Sequence, residues 1–102
     1  MADEPDHLLH PEARAELREA VLWYREHSAR AVEFAAEVTR IIEELTAAPQ
    51  RWPVLRNTTP QIRYRVLPRH PYTVFYRKMG QTLVVLAIAH QKRQPLYWIH
   101  RS

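Results

Sequence analysis

The hydrophobic pattern changes its period once along the chain, and this change is the strongest constraint on the fold. Before residue 50, apolar residues recur at helical spacing in two stretches, residues 13–24 and residues 34–45. Pro11 predicts the start of the first helix, and Pro49 predicts the end of the second. Ser28 is the expected cap of the second helix. The connection between the two is so short that the helices should form an antiparallel hairpin.

After residue 60 the apolar residues alternate, which is typical of strands. The first predicted strand covers residues 62–66, where Arg63 and Arg65 should form a basic, outward-facing side. A second strand is predicted over residues 72–77, followed by a hairpin turn at Gly80. The continuous apolar run after that turn predicts a central strand buried on both faces. Residues 6–10, which include Leu8 and Leu9, weakly favour a short edge strand near the N-terminus.

These elements predict an α+β fold in two layers, with the antiparallel helical hairpin packed on a three- to four-stranded antiparallel sheet. We expect a single domain over residues 1–102. Within it, residues 1–6 should form a flexible tail and residues 91–102 a basic, aromatic C-terminal tail. No apolar run approaches the roughly 20 residues of a membrane span, and the N-terminus does not resemble a secretory leader.

The composition excludes several functional classes. The chain has no cysteine, so a disulfide framework and a thiolate metal site are excluded, and a reducing cytoplasm is the expected location. A single glycine excludes a glycine-rich phosphate loop and a dinucleotide fingerprint. His7 and His10 alone are a weak metal-binding signal. We therefore expect neither a metal nor a cofactor.

Charge is divided unevenly between the two halves of the chain. Residues 1–50 carry 11 acidic and 5 basic side chains, whereas residues 51–102 carry 10 basic and no acidic ones. The two halves together give the formal net charge of +4. A half without carboxylates projects a positive field, which favours a polyanion or an acidic protein as partner. The alternative is a solvated face that only keeps the protein soluble.

Specific motifs follow the same order as the predicted elements. The helices carry Ala13-x-x-x-Leu17 and Trp23-Tyr24, and the last strand ends in Ala89-His90-x-x-Arg93. The chain then continues with Pro95-x-Tyr97-Trp98. From about residue 9 to residue 101 this order resembles the RelE/ParE superfamily, the toxins of bacterial type II toxin–antitoxin systems. The ending His-x-x-Arg is closer to the ParE-like branch.

The resemblance implies a compact toxin that a cognate antitoxin neutralises by wrapping a C-terminal segment around it, in a hetero-oligomer. It also implies one of two activities. The ParE-like branch inhibits DNA gyrase without being a nuclease, and this is the function we expect. The alternative is a RelE-like, ribosome-dependent mRNA endonuclease, although the lysine-rich cluster of that branch is absent, since the only lysines are Lys78 and Lys92. A third interpretation is a degenerate module that binds its antitoxin and inhibits nothing.

If the protein cleaves RNA, it needs a cation for the phosphate and groups that transfer protons to and from oxygen. The second half offers Arg63 for charge and His90 and Tyr97 for proton transfer, without a metal. A carboxylate base would have to come from the helices, and the same lack of acids argues against a Mg²⁺-dependent nuclease. For His90 the alternative role is structural, as a cap of backbone groups at the end of a strand.

If the protein acts by binding, the predicted contacts with the target or the antitoxin are Arg63, Arg65, Arg77, Arg93, Tyr97 and Trp98. An acidic antitoxin segment should bury part of this surface, and an open sheet edge should accept an added strand. The alternatives are that Arg63 and Arg65 form a solvated edge and that Trp98 closes the core. Tyr97 fits either role.

Overall fold

The elements follow the predicted order. The computed structural model describes residues 5–101. The helices and strands are β1 (His7–Leu9), α1 (Pro11–His27), α2 (Ala31–Ala47), β2 (Arg63–Val66), β3 (Tyr72–Met79) and β4 (Thr82–His90). The α+β architecture is confirmed. Among the described residues, no helix is long and apolar enough to cross a membrane.

The four strands form one sheet in the order β1-β4-β3-β2. The pairs β2–β3 and β3–β4 are antiparallel, as predicted, and Gly80 occupies the turn between β3 and β4 with a φ of 62°. β1 pairs in parallel with β4, so the sheet is mixed. Of the predicted N-terminal tail, residues 1–4 lie outside the described residues, whereas Pro5 and Asp6 accept hydrogen bonds from Thr82 and Leu83 of β4.

A β-bulge in β4 shifts the alternation of its side chains between the two faces by one residue. Phe75 pairs with Ala87 while Tyr76 pairs with Val85, so Leu86 is the extra residue in β4. Before the bulge, Val85 faces the helices; at the bulge, Leu86 and Ala87 both face the opposite side. The prediction of a central strand buried on both faces is therefore confirmed.

Each face of the sheet carries its own apolar cluster. The larger cluster packs both helices against the sheet through residues such as Tyr24, Phe34, Ile41, Val74 and Tyr76. The smaller one lies on the other face, where the C-terminal tail folds back and places Trp98 against Phe75, with ring centroids 4.3 Å apart. Trp98 is only 1% exposed, so it closes the core.

The turn between the helices differs in detail from the prediction. α2 begins at Ala31, and its N-cap, Arg30, makes no side-chain capping bond. The Ser28 hydroxyl instead accepts a hydrogen bond from the Arg30 N–H and donates one to the Tyr24 carbonyl oxygen. The expected role of Ser28 as the cap of α2 is therefore wrong, because this hydroxyl stabilises the turn that precedes the helix.

A buried carboxylate on α2 fixes the loop between β2 and β3. Glu37 is 2% exposed, and its two oxygens contact the His70 Nδ1 at 2.8 Å and the Arg69 N–H at 3.0 Å. The His70 ring packs edge-on against Tyr24 and Phe34. The Glu37 side chain thereby joins α2 to a proline-flanked loop that has no regular secondary structure.

We expect Glu37→Gln to lower the free energy of unfolding by about 1–3 kcal/mol, because an amide offers one acceptor where the carboxylate satisfies two buried partners. Urea unfolding at pH 7 measures this loss. Glu33→Gln is the matched control, since Glu33 lies on the same helix but is exposed, and its 3.9 Å contact with Arg30 should contribute less than about 0.5 kcal/mol. Equal losses in the two variants would contradict a structural role for Glu37.

Candidate functional site

Most of the cations in the second half lie beyond ion-pair distance of any carboxylate that the structure describes. Within residues 5–101, only Arg65 and Arg101 of this half lie within ion-pair distance of a carboxylate, and in both cases the carboxylate belongs to a helix. The other eight cations are Arg51, Arg56, Arg63, Arg69, Arg77, Lys78, Lys92 and Arg93. The positive field expected from the sequence is therefore largely uncompensated by direct contacts.

The cations of β2 do not face outward on an open side of the sheet, which corrects the sequence-based expectation. Arg63 pairs with Tyr76 and Arg65 with Val74, both of which belong to the helix-side cluster. Residues paired across antiparallel strands point to the same face, so both arginines lie on the helix side, at the sheet edge. The other face of the sheet is covered by the C-terminal tail.

Trp52 organises these arginines at the β2 edge. Its carbonyl oxygen accepts a hydrogen bond of 2.6 Å from Arg63 Nη1. The guanidinium of Arg65 lies 4.3 Å from the centre of the indole ring and also contacts Glu44 at 3.8 Å. Arg51 approaches the same ring at 5.0 Å. Cation–π contacts thus hold two positive charges beside each other at this edge.

His90 ends β4 and stabilises the turn that follows it. Its Nδ1 accepts a hydrogen bond of 3.0 Å from the Lys92 N–H, and its ring packs edge-on against Tyr72 at 5.0 Å. In the neutral form this bond places the ring proton on Nε2. The turn leaves Lys92 and Arg93 exposed, and Arg93 lies 3.9 Å above the ring of Tyr97.

Glu16 of α1 joins three parts of the molecule. One oxygen accepts the Ile88 N–H at 2.9 Å, and the other accepts the Tyr97 hydroxyl at 2.5 Å. Arg101 donates to both oxygens, at 2.9 and 3.0 Å, and also to the Leu86 carbonyl oxygen at 3.1 Å. These contacts occupy backbone groups of β4 beyond its pairing with β1. The sheet edge that was expected to accept an added strand is therefore closed there.

Burial and the contact with Glu16 keep the hydroxyl of Tyr97 protonated. Burial raises the pKa of Tyr97 well above its ordinary value of 10.0, and the hydrogen bond to Glu16 raises it further. Arg93 and Arg101 act in the opposite direction but do not outweigh these effects. Tyr97 is therefore a hydrogen-bond donor to Glu16 at neutral pH and not a free acid or base.

The three residues proposed for RNA cleavage do not all lie together. His90 and Tyr97 line one cavity of about 240 Å³ with Arg93. Arg63 lies on β2, two strands from His90 on β4. Its partner on β3 is Tyr76, whereas His90 pairs with Tyr72, four residues away. At ordinary strand rise and spacing, the Cα atoms of Arg63 and His90 are therefore roughly 16 Å apart. Since its guanidinium is bound to Trp52 and to Gln61, Arg63 is held apart from this cavity.

Arg77, the remaining predicted contact, lies near the hairpin end of the sheet. It pairs with Val84, on the face opposite the helices. Its Nε is buried and makes no hydrogen bond to the described residues. Together with the burial of Trp98, this leaves Arg93 as the most exposed of the predicted contacts.

Sequence reasoning missed the two acidic residues on which these arrangements depend. Glu16 lies between Ala13 and Ala20 on the apolar stripe of α1, and Glu37 lies between Phe34 and Ile41 on that of α2. A carboxylate on the buried stripe of a helix was the signal that could have revealed both, because burying a charge requires partners.

Comparisons with known proteins agree on one family. A family model for the ParE toxin of the type II toxin–antitoxin system, parDE, matches residues 8–95. Among solved structures, a chain of the chromosomal ParDE TA system from P. aeruginosa superposes with a TM-score of 0.70 at 17% identity, covering 82% of this chain and 92% of that chain. A comparison with curated proteins finds no match. The matched residues include Arg63, His90 and Arg93 but end before Tyr97.

We expect Tyr97→Phe to lower the free energy of unfolding at pH 7 by about 1–2 kcal/mol, because it removes a hydrogen bond to a charged acceptor. The folded chain holds this proton more tightly than the unfolded chain, so its stabilising effect is complete below pH 10 and is lost as the pH rises further. Urea unfolding above pH 10 should therefore show a shallower fall in stability for the variant.

Two comparisons make this prediction specific. Burial raises the pKa of Tyr76 to about 12, but this effect is common to the wild type and the variant and cancels in the difference. Tyr64→Phe is the matched control, since that hydroxyl makes no hydrogen bond to the described residues. An equal loss at pH 7 for the two variants would show that the Glu16 contact adds nothing.

Proposed function

Because this chain belongs to the ParE toxin family of type II toxin–antitoxin systems, we propose that it arrests growth by binding and inhibiting DNA gyrase and that a cognate antitoxin neutralises it. The family match over residues 8–95 is the observation that carries this proposal. Gyrase lies in the bacterial cytoplasm, so the toxin acts there, and a chain without cysteine suits that reducing environment.

The geometry of the candidate residues supports recognition of a protein over cleavage of RNA. A metal-free nuclease needs a phosphate-binding cation next to its acid and base. Arg63 is bound to Trp52 far from His90, the His90 Nδ1 is engaged by the backbone of its own turn, and Tyr97 gives its proton to Glu16. These bonds suit structural roles, and within residues 5–101 they leave Lys92 and Arg93 exposed and without an ion-pair partner.

One observation favours the alternative of ribosome-dependent mRNA cleavage. His90, Arg93 and Tyr97 line the same cavity, and Glu16 supplies, next to Tyr97, the helix-derived carboxylate that this chemistry would need. In this alternative Arg93 would bind the phosphate in place of Arg63. The two functions predict different first effects in the cell.

We expect controlled expression of the toxin to produce DNA double-strand breaks and an SOS response before protein synthesis falls. Parallel measurement of DNA damage and of amino-acid incorporation checks this order. Co-expression of the antitoxin encoded in the same module is the control and should abolish both effects. A loss of translation that precedes DNA damage would favour mRNA cleavage, and normal growth would favour a module that binds its antitoxin and inhibits nothing.

We also expect His90→Gln to retain growth arrest. The Gln oxygen can still accept the Lys92 N–H, but an amide cannot transfer protons, so only a catalytic role would be lost. General acid–base catalysis contributes typically 10²–10⁴-fold to a rate, and a loss of that size would be evident as restored growth. A folded His90→Gln protein that is not toxic, with its fold checked by circular dichroism, would contradict gyrase inhibition by binding alone.

A further inference from the structure

Five cations form a continuous row along the β2 edge of the sheet. We call this set the β2-edge row, and its members are Arg51, Arg63, Arg65, Arg77 and Lys78. Arg51 and Arg65 lie against the ring of Trp52, whose carbonyl oxygen binds Arg63. Arg63 in turn lines a cavity of about 210 Å³ together with Arg77 and Lys78. The row therefore runs from the loop before β2 to the hairpin that follows β3.

The length of the row fits several phosphates of a nucleic acid. β3 continues three residues beyond its last pair with β2, so Arg77 and Lys78 lie at the sheet edge themselves. Arg65 pairs with Val74, which is four residues before Lys78 on β3. At ordinary strand rise this part of the row is about 13 Å long. One strand of duplex DNA carries about four phosphates over that length, since its rise is roughly 3.4 Å for each phosphate.

A single carboxylate lies within ion-pair distance of the row among residues 5–101. Glu44 contacts Arg65 at 3.8 Å, but it also contacts Arg40 at 3.8 Å and is 40% exposed. An exposed pair of this kind neutralises little charge. Three buried donors at this edge, Trp52 Nε1, Arg65 Nε and Arg77 Nε, also have no acceptor among the described residues. Because the edge has more donors than acceptors, it favours an anionic ligand.

Hydrogen bonds hold the middle of the row in place. Arg63 donates from Nη1 to the Trp52 carbonyl oxygen at 2.6 Å and from Nη2 to Gln61 Oε1 at 3.2 Å. A guanidinium has five N–H donors, so these two bonds leave others for an anion. In the same cavity the Tyr76 hydroxyl donates to the Pro49 carbonyl oxygen at 2.7 Å. Side chains that are already ordered lose little conformational freedom on binding.

We propose that the β2-edge row binds the phosphate backbone of duplex DNA without reading its sequence. Arginine and lysine residues that neutralise phosphates release condensed counterions, and this release supplies essentially all of the free energy of such binding. Contacts with phosphates position a protein on DNA but carry no sequence information. DNA binding of this kind goes beyond the proposed inhibition of gyrase and does not require it. A toxin that binds gyrase can then also contact the DNA of the same complex.

The aromatic residue of this edge is not free for stacking, which favours a duplex over the other anionic partners. Proteins that bind single-stranded nucleic acid stack its bases on aromatic side chains. Trp52 instead packs against the helix-side cluster and carries two guanidinium groups at its ring. An acidic protein would also need a central anchor, which aromatic residues commonly supply. A row of cations without a free aromatic ring suits a row of phosphates.

Fluorescence anisotropy of the purified toxin with a labelled duplex of about 20 base pairs tests this binding between about 50 and 200 mM salt. Four phosphate contacts predict that the logarithm of the affinity falls against the logarithm of the salt concentration with a slope of about −3.6. We therefore expect the affinity to fall roughly 150-fold over this range. Two duplexes of unrelated sequence should bind equally, because only the backbone is contacted.

Two double variants with the same change of charge separate the row from the net charge of the protein. The first combines Arg51→Gln with Lys78→Gln, and the control combines Arg25→Gln on α1 with Lys92→Gln in the turn after β4. We expect the first to bring the slope to about −1.8 and to lower the affinity on the order of fiftyfold at about 0.1 M salt. The control should change the affinity less than about threefold.

The four substituted side chains are exposed, so both double variants should remain folded, which circular dichroism checks. If the first double variant does not fold, Lys78→Gln alone takes its place, with an expected slope of about −2.7. Equal effects of the row variant and the control would show that the row does not hold DNA. A duplex affinity that is independent of salt would contradict the proposal as well.

A single-stranded RNA and a polyglutamate peptide serve as further probes. If either binds more tightly than the duplex and loses its affinity in the row variant, the row takes that class of ligand and the proposal of duplex binding is wrong. Supercoiling by purified gyrase is measured in parallel. A toxin that inhibits gyrase but does not bind DNA refutes DNA binding and leaves the proposed function intact. A toxin that binds DNA but leaves gyrase active refutes the proposed function alone.

Discussion

The hydrogen bonds and the ion pair of the Glu16 carboxylate are the interactions on which the rest of the structure most depends. It lies on the buried stripe of α1, and its two oxygens bind the backbone of β4, the phenol of Tyr97 and the guanidinium of Arg101. A buried carboxylate loses hydration, and the loss is offset only when charged and polar partners satisfy it completely. Because the second half of the chain has no acidic side chain of its own, an ion pair that ties the C-terminal tail to the rest of the fold needs a carboxylate from the first half, and Glu16 of α1 supplies it.

Glu37 repeats this arrangement on α2, where it binds the loop before β3 through His70 and Arg69. Each helix thus places one acid on its core side to hold a segment that has no regular structure. Apart from Arg65, which contacts Glu44, the other cations of the second half have no carboxylate partner among residues 5–101. Because only a few carboxylates contact the second half, its surface stays positive. A positive surface favours contacts with acidic groups of other molecules.

Three residues whose side chains are of types used in catalysis have structural roles in this fold. His90 supports a turn, Tyr97 donates to Glu16, and Arg63 is fixed on Trp52. Such groups stabilise the shape of the surface around them, and Trp23, Lys92 and Arg93 project from that surface. The arrangement suits a member of a toxin–antitoxin family, which implies an antitoxin as partner, since rigid elements lose little conformational freedom on binding.

The sequence by itself determined the helices, the antiparallel strands, the hairpin at Gly80 and the central position of β4, because periodicity depends only on neighbours along the chain. It indicated the short N-terminal strand β1 only weakly, since three residues carry no period, and it did not reveal that β1 pairs in parallel with β4. Only the tertiary structure decided that Arg63 and Arg65 face the helices, that Trp98 covers the opposite face and that Glu16 meets Tyr97 and Arg101, more than 80 residues away. The hydrophobic periodicity shows which residues lie on the same face of a helix or strand. Packing between segments that are distant in the sequence decides what that face contacts.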